Sequence, residues 1–215
     1  MPTQSTTHPN VWIFEHPVIQ DKLTRIRDCE TDHATFRSLL NEIAGLMFFQ
    51  LSRQFKSVHS EVDTPIETTV GSRLADPITL VPILRAGVGM TDGILGMIPE
   101  ARVGHIGLYR DEETKKPIPY YCKLPSDIAN GPVLLIDPML ATGGSASYAA
   151  KVLQDHGCED VQMVCLVASP EGVRRMEKDH PKLKISTASI DRCLNENGYI
   201  VPGLGDAGDR IFGTV

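Results

Sequence analysis

Hydrophobic and polar positions follow two alternating rhythms between residues 78 and 190. Short continuous apolar runs, bounded by proline or glycine, alternate with segments whose apolar residues recur at helical spacing. The first kind predicts strands buried on both faces, and the second predicts amphipathic helices. The predicted strands are 78–84, 101–110, 117–124, 132–137, 161–169 and 184–190. The predicted helices are 87–98, 145–157 and 171–180.

The N-terminal part of the chain is predicted to be helical after a loose arm. Residues 17–28 have apolar side chains at helical spacing, with Pro17 in the first turn, where its missing N–H is not needed. Residues 32–55 form a longer amphipathic pattern with Asp32 as the candidate N-cap. Residues 1–15 show neither period, so we expect an extended arm there.

The alternation of strands and helices predicts an α/β fold with an open, mostly parallel sheet covered by helices on both faces. In such sheets, ligands bind at the edge where strands end and helices begin. We expect a single domain spanning 1–215. It would comprise an N-terminal helical segment (1–60), a β-hairpin arm (108–124) and a C-terminal tail (195–215).

Composition restricts the function classes and the compartment. The chain has 215 residues, of which 41% are hydrophobic, and a formal net charge of -6. A basic nucleic-acid-binding surface is therefore not expected, and no apolar run approaches the ~20 residues of a membrane span. The five cysteines form no CxxC pair, and the histidines show no metal-ligand spacing. We expect a cytoplasmic protein with reduced cysteines that binds neither nucleic acid nor membranes.

Residues 134–154, LLIDPMLATGGSASYAAKVLQ, carry the most informative chemistry. A buried strand ends at Asp137, small residues follow, and a helical pattern begins at Ser145. Helix N-termini bind phosphate through free N–H groups, and Gly143 and Gly144 let the backbone approach a ligand. A phosphate would repel Asp137, which suits sugar hydroxyls or a metal-bound water. These groups together suit a ribose 5-phosphate, and the alternative is a tight strand-to-helix turn.

Two arginines lie at strand ends, where they suit anion binding. Arg85 follows the buried run 78–84, and its planar fork matches a pair of anionic oxygens. Arg110 lies at the base of a charge-dense segment that we expect to form a protruding hairpin. The alternatives are a structural salt bridge for Arg85 and a solvated hairpin for Arg110.

The tail 198–215 is glycine-rich and contains Asp206 and Asp209. Its backbone N–H and C=O groups suit the edge of a planar base, and its apolar residues indicate packing, with a flexible terminus as the alternative. Residues 203–208, GLGDAG, match a dinucleotide-binding fingerprint, but we discount the match because we expect no helix to follow it.

These stretches together resemble the uracil phosphoribosyltransferase family over most of the chain. Related phosphoribosyltransferases usually have two adjacent acids at the strand end, whereas Pro138 in the second position is typical of the uracil branch. The similar segments are HPVIQDKLTRIRD (16–28), VPILRAGVGM (81–90), YRDEET (109–114), IDPMLATGGSA (136–146) and GYIVPGLGDAGDRIFGT (198–214). The last two are highly specific.

The resemblance implies a type I phosphoribosyltransferase-like fold and a reaction of uracil with 5-phospho-α-D-ribose 1-diphosphate (PRPP) that gives UMP and diphosphate. It implies Mg²⁺ held mainly by the PRPP diphosphate, without direct metal ligands from the chain, and GTP as an activator. The implied PRPP-binding residues are Arg85, Arg110, Asp137, Pro138, Met139, Leu140, Ala141, Thr142, Gly143, Gly144, Ser145 and Asp206. The implied uracil-binding residues are Tyr199, Ile200, Gly205, Asp206 and Ala207. The implied catalytic residues are Arg85, Arg110, Asp137 and Asp206, with Asp206 the candidate general base.

Two alternatives keep the phosphate loop without the chemistry. One is a regulator that senses PRPP or UMP and binds RNA, which the acidic composition and the single acid at Asp137 disfavour. The other is an inactive subunit of a fused uridine kinase, although the sequence contains no kinase phosphate loop. We also expect a homo-oligomer, a dimer or a tetramer, because the helix predicted at 32–55 has more apolar surface than one chain needs.

Overall fold

The computed structural model describes residues 2–110 and 117–214, and a mostly parallel sheet lies at its centre. The strands are β1 Thr3–Gln4, β2 Val11–Ile13, β3 Ser57–Asp63, β4 Thr68–Leu74, β5 Thr79–Leu84, β6 Arg102–Val103, β7 His105–Arg110, β8 Pro117–Lys123, β9 Val133–Ile136, β10 Met139–Leu140, β11 Val161–Ala168, β12 Lys184–Ile190, β13 Cys193–Leu194 and β14 Ile200–Val201. The helices are α1 Pro17–Arg27, α2 His33–Leu51, α3 Thr91–Leu95, α4 Gly144–Asp155, α5 Pro170–Asp179 and α6 Ala207–Phe212.

The main sheet has the order β1-β2-β12-β11-β9-β5-β7-β8, with β10 beside β11 and β6 beside β5. Neighbours from β2 to β7 are parallel, whereas the outer pairs β1–β2 and β7–β8 are antiparallel. Every residue of β9 and β11 is buried, as expected for strands covered by helices on both faces. The predicted α/β fold with a mostly parallel sheet is confirmed.

Helices cover the two faces of the sheet in separate groups. Buried side chains of α1, α2, α3 and α6 form the core on one face, and those of α4 and α5 form the core on the other.

Local signals set the N-termini of α1 and α2 as predicted. Asp32 caps α2 by accepting hydrogen bonds from the N–H groups of Ala34 and Thr35, at 2.9 and 3.0 Å. Pro17 is the first residue of α1.

The prediction of one helix over 87–98 is wrong. The chain instead forms a 3₁₀ turn, Ala86–Met90, followed by the five-residue α3. Glycine costs a helix interior about 1 kcal/mol per residue relative to alanine, and this segment contains four glycines. Contacts with neighbouring elements therefore decide its conformation.

The prediction of a helical segment over 1–60 needs two corrections. Residues 57–60 begin β3, which pairs with β4 in a separate two-stranded hairpin. The arm expected over 1–15 is not loose, because β2 pairs in parallel with β12 at the edge of the main sheet. Strand β2 has only three residues, and β3 is rich in polar residues. Neither therefore shows a clear alternation of apolar and polar positions in the sequence.

Two further expectations concern the hairpin arm and the tail. The arm predicted over 108–124 corresponds to β7 and β8, and its tip, 111–116, lies outside the described residues. Contrary to expectation, a helix does form here, since α6 begins at Ala207, within residues 203–208, and continues to Phe212. Across residues 2–110 and 117–214, no helix is long and apolar enough to cross a membrane.

Candidate active site

The carboxyl ends of two central strands bring Arg85 and Asp137 to the same edge of the sheet. The strands β5 and β9 are parallel neighbours, and each of these residues directly follows its strand. A Cβ atom on Gly87 would lie 2.4 Å from the carbonyl oxygen of Ile136, which no real side chain could tolerate. Glycine at this position therefore lets the turn after β5 pack directly against the end of β9.

The loop 137–143 connects β9 to the N-terminus of α4. The Asp137 N–H donates to the Val164 carbonyl at 3.2 Å, and its Oδ1 accepts from the Met139 N–H at 3.3 Å. Gly143 is the N-cap of α4 with a φ of 73°, a left-handed conformation that favours glycine. A Cβ atom on Gly144 would meet no neighbour closer than 3.7 Å, so packing within the chain does not require glycine there. An open backbone at a helix N-terminus suits a phosphate group.

A cavity of about 370 Å³ opens between this loop and the C-terminal tail. Its lining residues come from the turn after β5, the loop after β9 and two parts of the tail. They are Ala86, Asp137, Met139, Ala141, Asn197, Gly198, Tyr199, Ile200, Gly205, Asp206, Ala207 and Gly208. The volume falls within the range typical of small-molecule sites.

The tail forms the opposite wall of the cavity through two turns. In the first, the carboxamide oxygen of Asn195 accepts hydrogen bonds from the N–H groups of Asn197 and Tyr199, at 3.0 and 2.9 Å, between β13 and β14. In the second, Asp206 is the N-cap of α6 and accepts from the Asp209 N–H at 3.0 Å. Tight turns of this kind present backbone N–H and C=O groups to the cavity.

A buried ion pair fixes the chain between these two turns. Arg27 is the last residue of α1, and its Nη1 and Nη2 atoms each donate a hydrogen bond of 2.7 Å to the Asp191 carboxylate. Asp191 also accepts from the Ser189 hydroxyl and from the Gly203 N–H, while Arg27 donates to the Gly203 carbonyl at 2.6 Å. Burial alone would raise the pKa of Asp191, but the hydrogen bonds from Arg27 and Ser189 outweigh it and hold the pKa below its usual range.

Arg85 is exposed at the rim of the cavity, with 59% of its side chain accessible. Its Nη2 lies 3.4 Å from Oδ1 of Asp209, and its guanidinium lies 5.8 Å from the centre of the Phe212 ring. An exposed ion pair of this length contributes little to stability, which argues against a purely structural salt bridge. The guanidinium is accessible to an anionic ligand.

Cys165 lies in β11 beside the loop and is not a candidate nucleophile. Burial raises the pKa of its thiol to about 12, and the nearby charge of Asp137 adds to this rise. A thiol protonated at neutral pH is a poor nucleophile. The arrangement therefore favours binding and electrostatic stabilisation over covalent catalysis by this residue.

The structure brings together eight of the residues singled out in the sequence. Those that line the cavity are Asp137, Met139, Ala141, Tyr199, Ile200, Gly205, Asp206 and Ala207. Pro138 and Leu140 are instead buried, so any ligand contact they make would be through the backbone. Thr142, Gly143, Gly144 and Ser145 form the junction with α4 beyond the cavity lining. Arg110 ends β7, and its side chain lies outside the described residues.

Sequence reasoning missed several residues that build the site. Asn197 and Gly198 were recognisable as a turn, but nothing in the local pattern placed this turn over the cavity. Arg27 and Asp191 showed no signal at all, since an arginine in the last turn of a helix and an acid after a strand are common. Their pairing spans 164 positions.

The chain is similar to known proteins over nearly its whole length. The model of the family described as uracil phosphoribosyltransferase matches residues 13–214. The uracil phosphoribosyltransferase of Caldanaerobacter subterraneus subsp. tengcongensis is 52% identical over 208 residues, which cover 96% of this chain and 99% of the relative.

Two solved structures extend the comparison to the fold. The AQ2163 protein from Aquifex aeolicus superposes with a TM-score of 0.90 at 35% identity, covering 94% of this chain and 97% of that one. The adenine phosphoribosyl transferase from Trypanosoma brucei superposes with a TM-score of 0.60 at 11% identity, covering 92% of this chain and 90% of that one. The second likeness supports the fold alone.

Replacing Asp191 should destabilise the protein because it leaves the Arg27 guanidinium without its carboxylate. We expect Asp191→Asn to lower the free energy of unfolding by about 3 kcal/mol at pH 7, as for other broken buried pairs. Urea unfolding measures this change. Asp155→Asn is the matched control, since its pair with Lys151 is exposed and should contribute less than about 1 kcal/mol.

The same pair predicts a pH dependence. Because the pKa of Asp191 is lower in the folded protein, its contribution to stability is complete above the unfolded pKa of about 3.9. It is lost as the pH falls through the lower folded value. The stability difference between the wild type and Asp191→Asn should therefore shrink below about pH 4. A difference that stays constant down to pH 3 would contradict this role.

Proposed function

The chain belongs to the uracil phosphoribosyltransferase family, and we propose that it transfers the 5-phosphoribosyl group of PRPP to N1 of uracil, giving UMP and diphosphate. This places it among the transferases of pyrimidine salvage. The main support for the proposal is a single cavity whose two walls are built from different kinds of segment. The loop after Asp137 forms one wall, and the glycine-rich turns around Asp206 form the other. We interpret residues 1–215 as one phosphoribosyltransferase domain.

The two walls suit the two halves of the product. On the loop side, the N-terminus of α4 and its small residues suit the 5-phosphate, and the Asp137 carboxylate suits the ribose hydroxyls. On the tail side, backbone groups around Ile200 and Gly205 suit the edge of uracil, whose donors and acceptors alternate. A ribose 5-phosphate placed along the loop would direct C1′ toward the tail.

The chemistry follows from charge development at the reaction centre. As diphosphate leaves, positive charge builds on the ribose and negative charge builds on the leaving group. Arg85 and Arg110 would stabilise the departing anion, and positioning the two substrates would supply much of the remaining rate enhancement. Asp206 is the candidate to accept the proton from N1 of uracil, because it is an acidic residue that lines the cavity on the tail side.

Mg²⁺ belongs to this proposal as part of the PRPP complex. Among residues 2–110 and 117–214, no group of three His, Cys, Asp or Glu side chains is placed to hold a metal ion. Mg²⁺ usually keeps several waters and binds one or two carboxylates together with substrate phosphates. In this proposal the PRPP diphosphate holds the ion, and Asp137, which lines the cavity, suits one of its bound waters. Its chemical role would be to neutralise charge on the diphosphate.

A homo-oligomer is supported by the hairpin of β3 and β4 rather than by the long helix. The apolar residues of α2 are largely buried within the chain, so the apolar surface of residues 32–55 gives no support for a homo-oligomer. Among residues 2–110 and 117–214, the hairpin pairs with no other strand, and it exposes Val58, Val62, Ile66 and Val70. Because two-stranded hairpins are marginally stable alone in water, a second copy of this chain that covers these side chains would stabilise it.

Activation by GTP and a cytoplasmic location remain predictions. The family resemblance carries the first. The second is supported by the cysteines, all five of which are free and suit a reducing compartment.

The direct test of the proposal is product formation from PRPP, Mg²⁺ and a panel of bases. We expect UMP from uracil and no nucleotide from hypoxanthine, adenine or orotate. Parallel reactions with GTP measure activation. If PRPP binds tightly but no base gives a product, the chain is a sensor that has kept the phosphate loop without catalysis.

Asp206→Asn separates the charge of this residue from its capping role. Asparagine caps helices about as well as aspartate, so α6 and the fold should be preserved. We expect kcat to fall about 10²- to 10⁴-fold, the usual contribution of a general base. Steady-state kinetics measure the fall, and urea unfolding checks the fold. Unchanged turnover would show that the tail does not take part in the chemistry.

Arg85→Ala should raise KM for PRPP because it removes a charged, forked donor. A hydrogen bond to a charged group contributes about 1.5–3 kcal/mol, which corresponds to roughly 10- to 150-fold in KM. Arg85→Lys is the matched control, since it keeps the charge and loses the fork, and its KM should lie between those of the two other proteins. If the KM for PRPP equals that of the wild type, Arg85 is a surface residue without a role in PRPP binding.

A further inference from the structure

The carbonyl group of Ala141, in the middle of the loop 137–143, is held by a residue outside the site. The hydroxyl of Ser169 donates to this carbonyl oxygen at 2.6 Å. The main-chain N–H of Ser169 donates to the preceding carbonyl, that of Leu140, at 2.9 Å. Ser169 directly follows β11 and has no exposed surface. Two successive carbonyl groups of the loop are therefore fixed by one buried serine.

The serine oxygen is itself held in place. Ser169 is the N-cap of α5, and its hydroxyl accepts a hydrogen bond from the Gly172 N–H at 2.9 Å. A Cβ atom on Gly172 would lie 2.3 Å from the Ala141 carbonyl oxygen and 2.6 Å from that of Leu140. Only glycine allows the loop to approach α5 this closely. The hydroxyl therefore links the start of α5 to the loop.

The direction of one carbonyl group determines the direction of the next N–H group. The peptide bond between Ala141 and Thr142 is trans, so its C=O and N–H point to opposite sides. Because the Ala141 carbonyl points toward α5, the Thr142 N–H points away from α5. The next residue, Gly143, then adopts its left-handed conformation and starts α4. The Thr142 N–H therefore lies on the side of the loop opposite α5.

We propose that Ser169 is a positioning residue for the ribose-phosphate loop, which sets the direction of the Ala141–Thr142 peptide without touching the ligand. This inference rests on the proposed function, since it assigns a role in PRPP binding. Without the hydroxyl, the Ala141 carbonyl loses its donor in a site closed to water. The peptide is then free to rotate, and its N–H group turns away from the phosphate.

Direct binding of product fragments tests the proposal independently of turnover. Calorimetry with ribose 5-phosphate and, separately, with diphosphate compares the wild type with Ser169→Ala. We expect the Kd for ribose 5-phosphate to rise about tenfold, as for one lost hydrogen bond, while that for diphosphate stays within about twofold. KM for PRPP should rise in parallel, and Ser169→Thr, which keeps the hydroxyl, should restore both values.

Ser186→Ala is the matched control for a lost buried hydroxyl. Ser186 is also almost fully buried, and its hydroxyl accepts from the Gln162 side chain at 2.7 Å, close to the start of β12 and away from the loop. We expect it to lower Tm without changing either Kd. If Ser169→Ala fails to fold, Ser169→Cys fills the same volume with a much poorer donor and should show the same selective loss.

Three outcomes would overturn the proposal. The first is a Ser169→Ala protein that is less stable but binds ribose 5-phosphate as the wild type does, because Ser169 would then be only structural. The second is an equal loss of affinity for both fragments. The third is a wild type that does not bind ribose 5-phosphate. A wild type that binds ribose 5-phosphate in a Ser169-dependent way yet makes no UMP would support the positioning role and refute the proposed function.

Discussion

Four hydrogen-bond donors converge on the buried carboxylate of Asp191, and the position of the tail depends on them. They come from the end of α1, from the end of β12 and from Gly203 in the tail itself. A buried carboxylate is tolerated only when it is paired and fully hydrogen-bonded, so the three segments have little freedom to separate. Arg210 also connects the tail to α1, since its guanidinium donates hydrogen bonds to the carbonyl groups of Ile26 and Leu204. The tail wall of the cavity is thus fixed to the N-terminal helices.

The other wall depends on the parallel sheet. Strands buried on both faces carry mainly apolar side chains, so ligands of such sheets bind at the residues that follow the strands. Arg85, Asp137 and Ser169 each follow such a strand. Glycines at 87 and 172 allow these strand-end segments to approach one another at distances that exclude a Cβ atom. Close packing of the backbone consequently shapes this wall of the cavity.

Sequence patterns predicted the central architecture because each strand and helix there has a clear period. The exceptions have identifiable causes. In residues 87–98, four glycines weakened the helical preference, and packing selected a 3₁₀ turn instead. In β3 and β4, apolar side chains alternate with charged and small ones on both faces, because neither face packs on the core. In the tail, the short α6 follows a capping aspartate that was interpreted only as a site residue.

The sequence by itself determined the α/β class, the loop after Asp137 and the packing of the tail, because these depend on residue type and spacing within a few positions. The tertiary structure alone decided how the two walls are held. Arg27 with Asp191, and Ser169 with Ala141, are pairs separated by 164 and 28 positions. Arg27, Asp191 and Ser169 also have ordinary local roles, at a helix end, a strand end and a helix cap. Local pattern carries no information about such partners, since their interaction energy arises only when the folded chain brings them together.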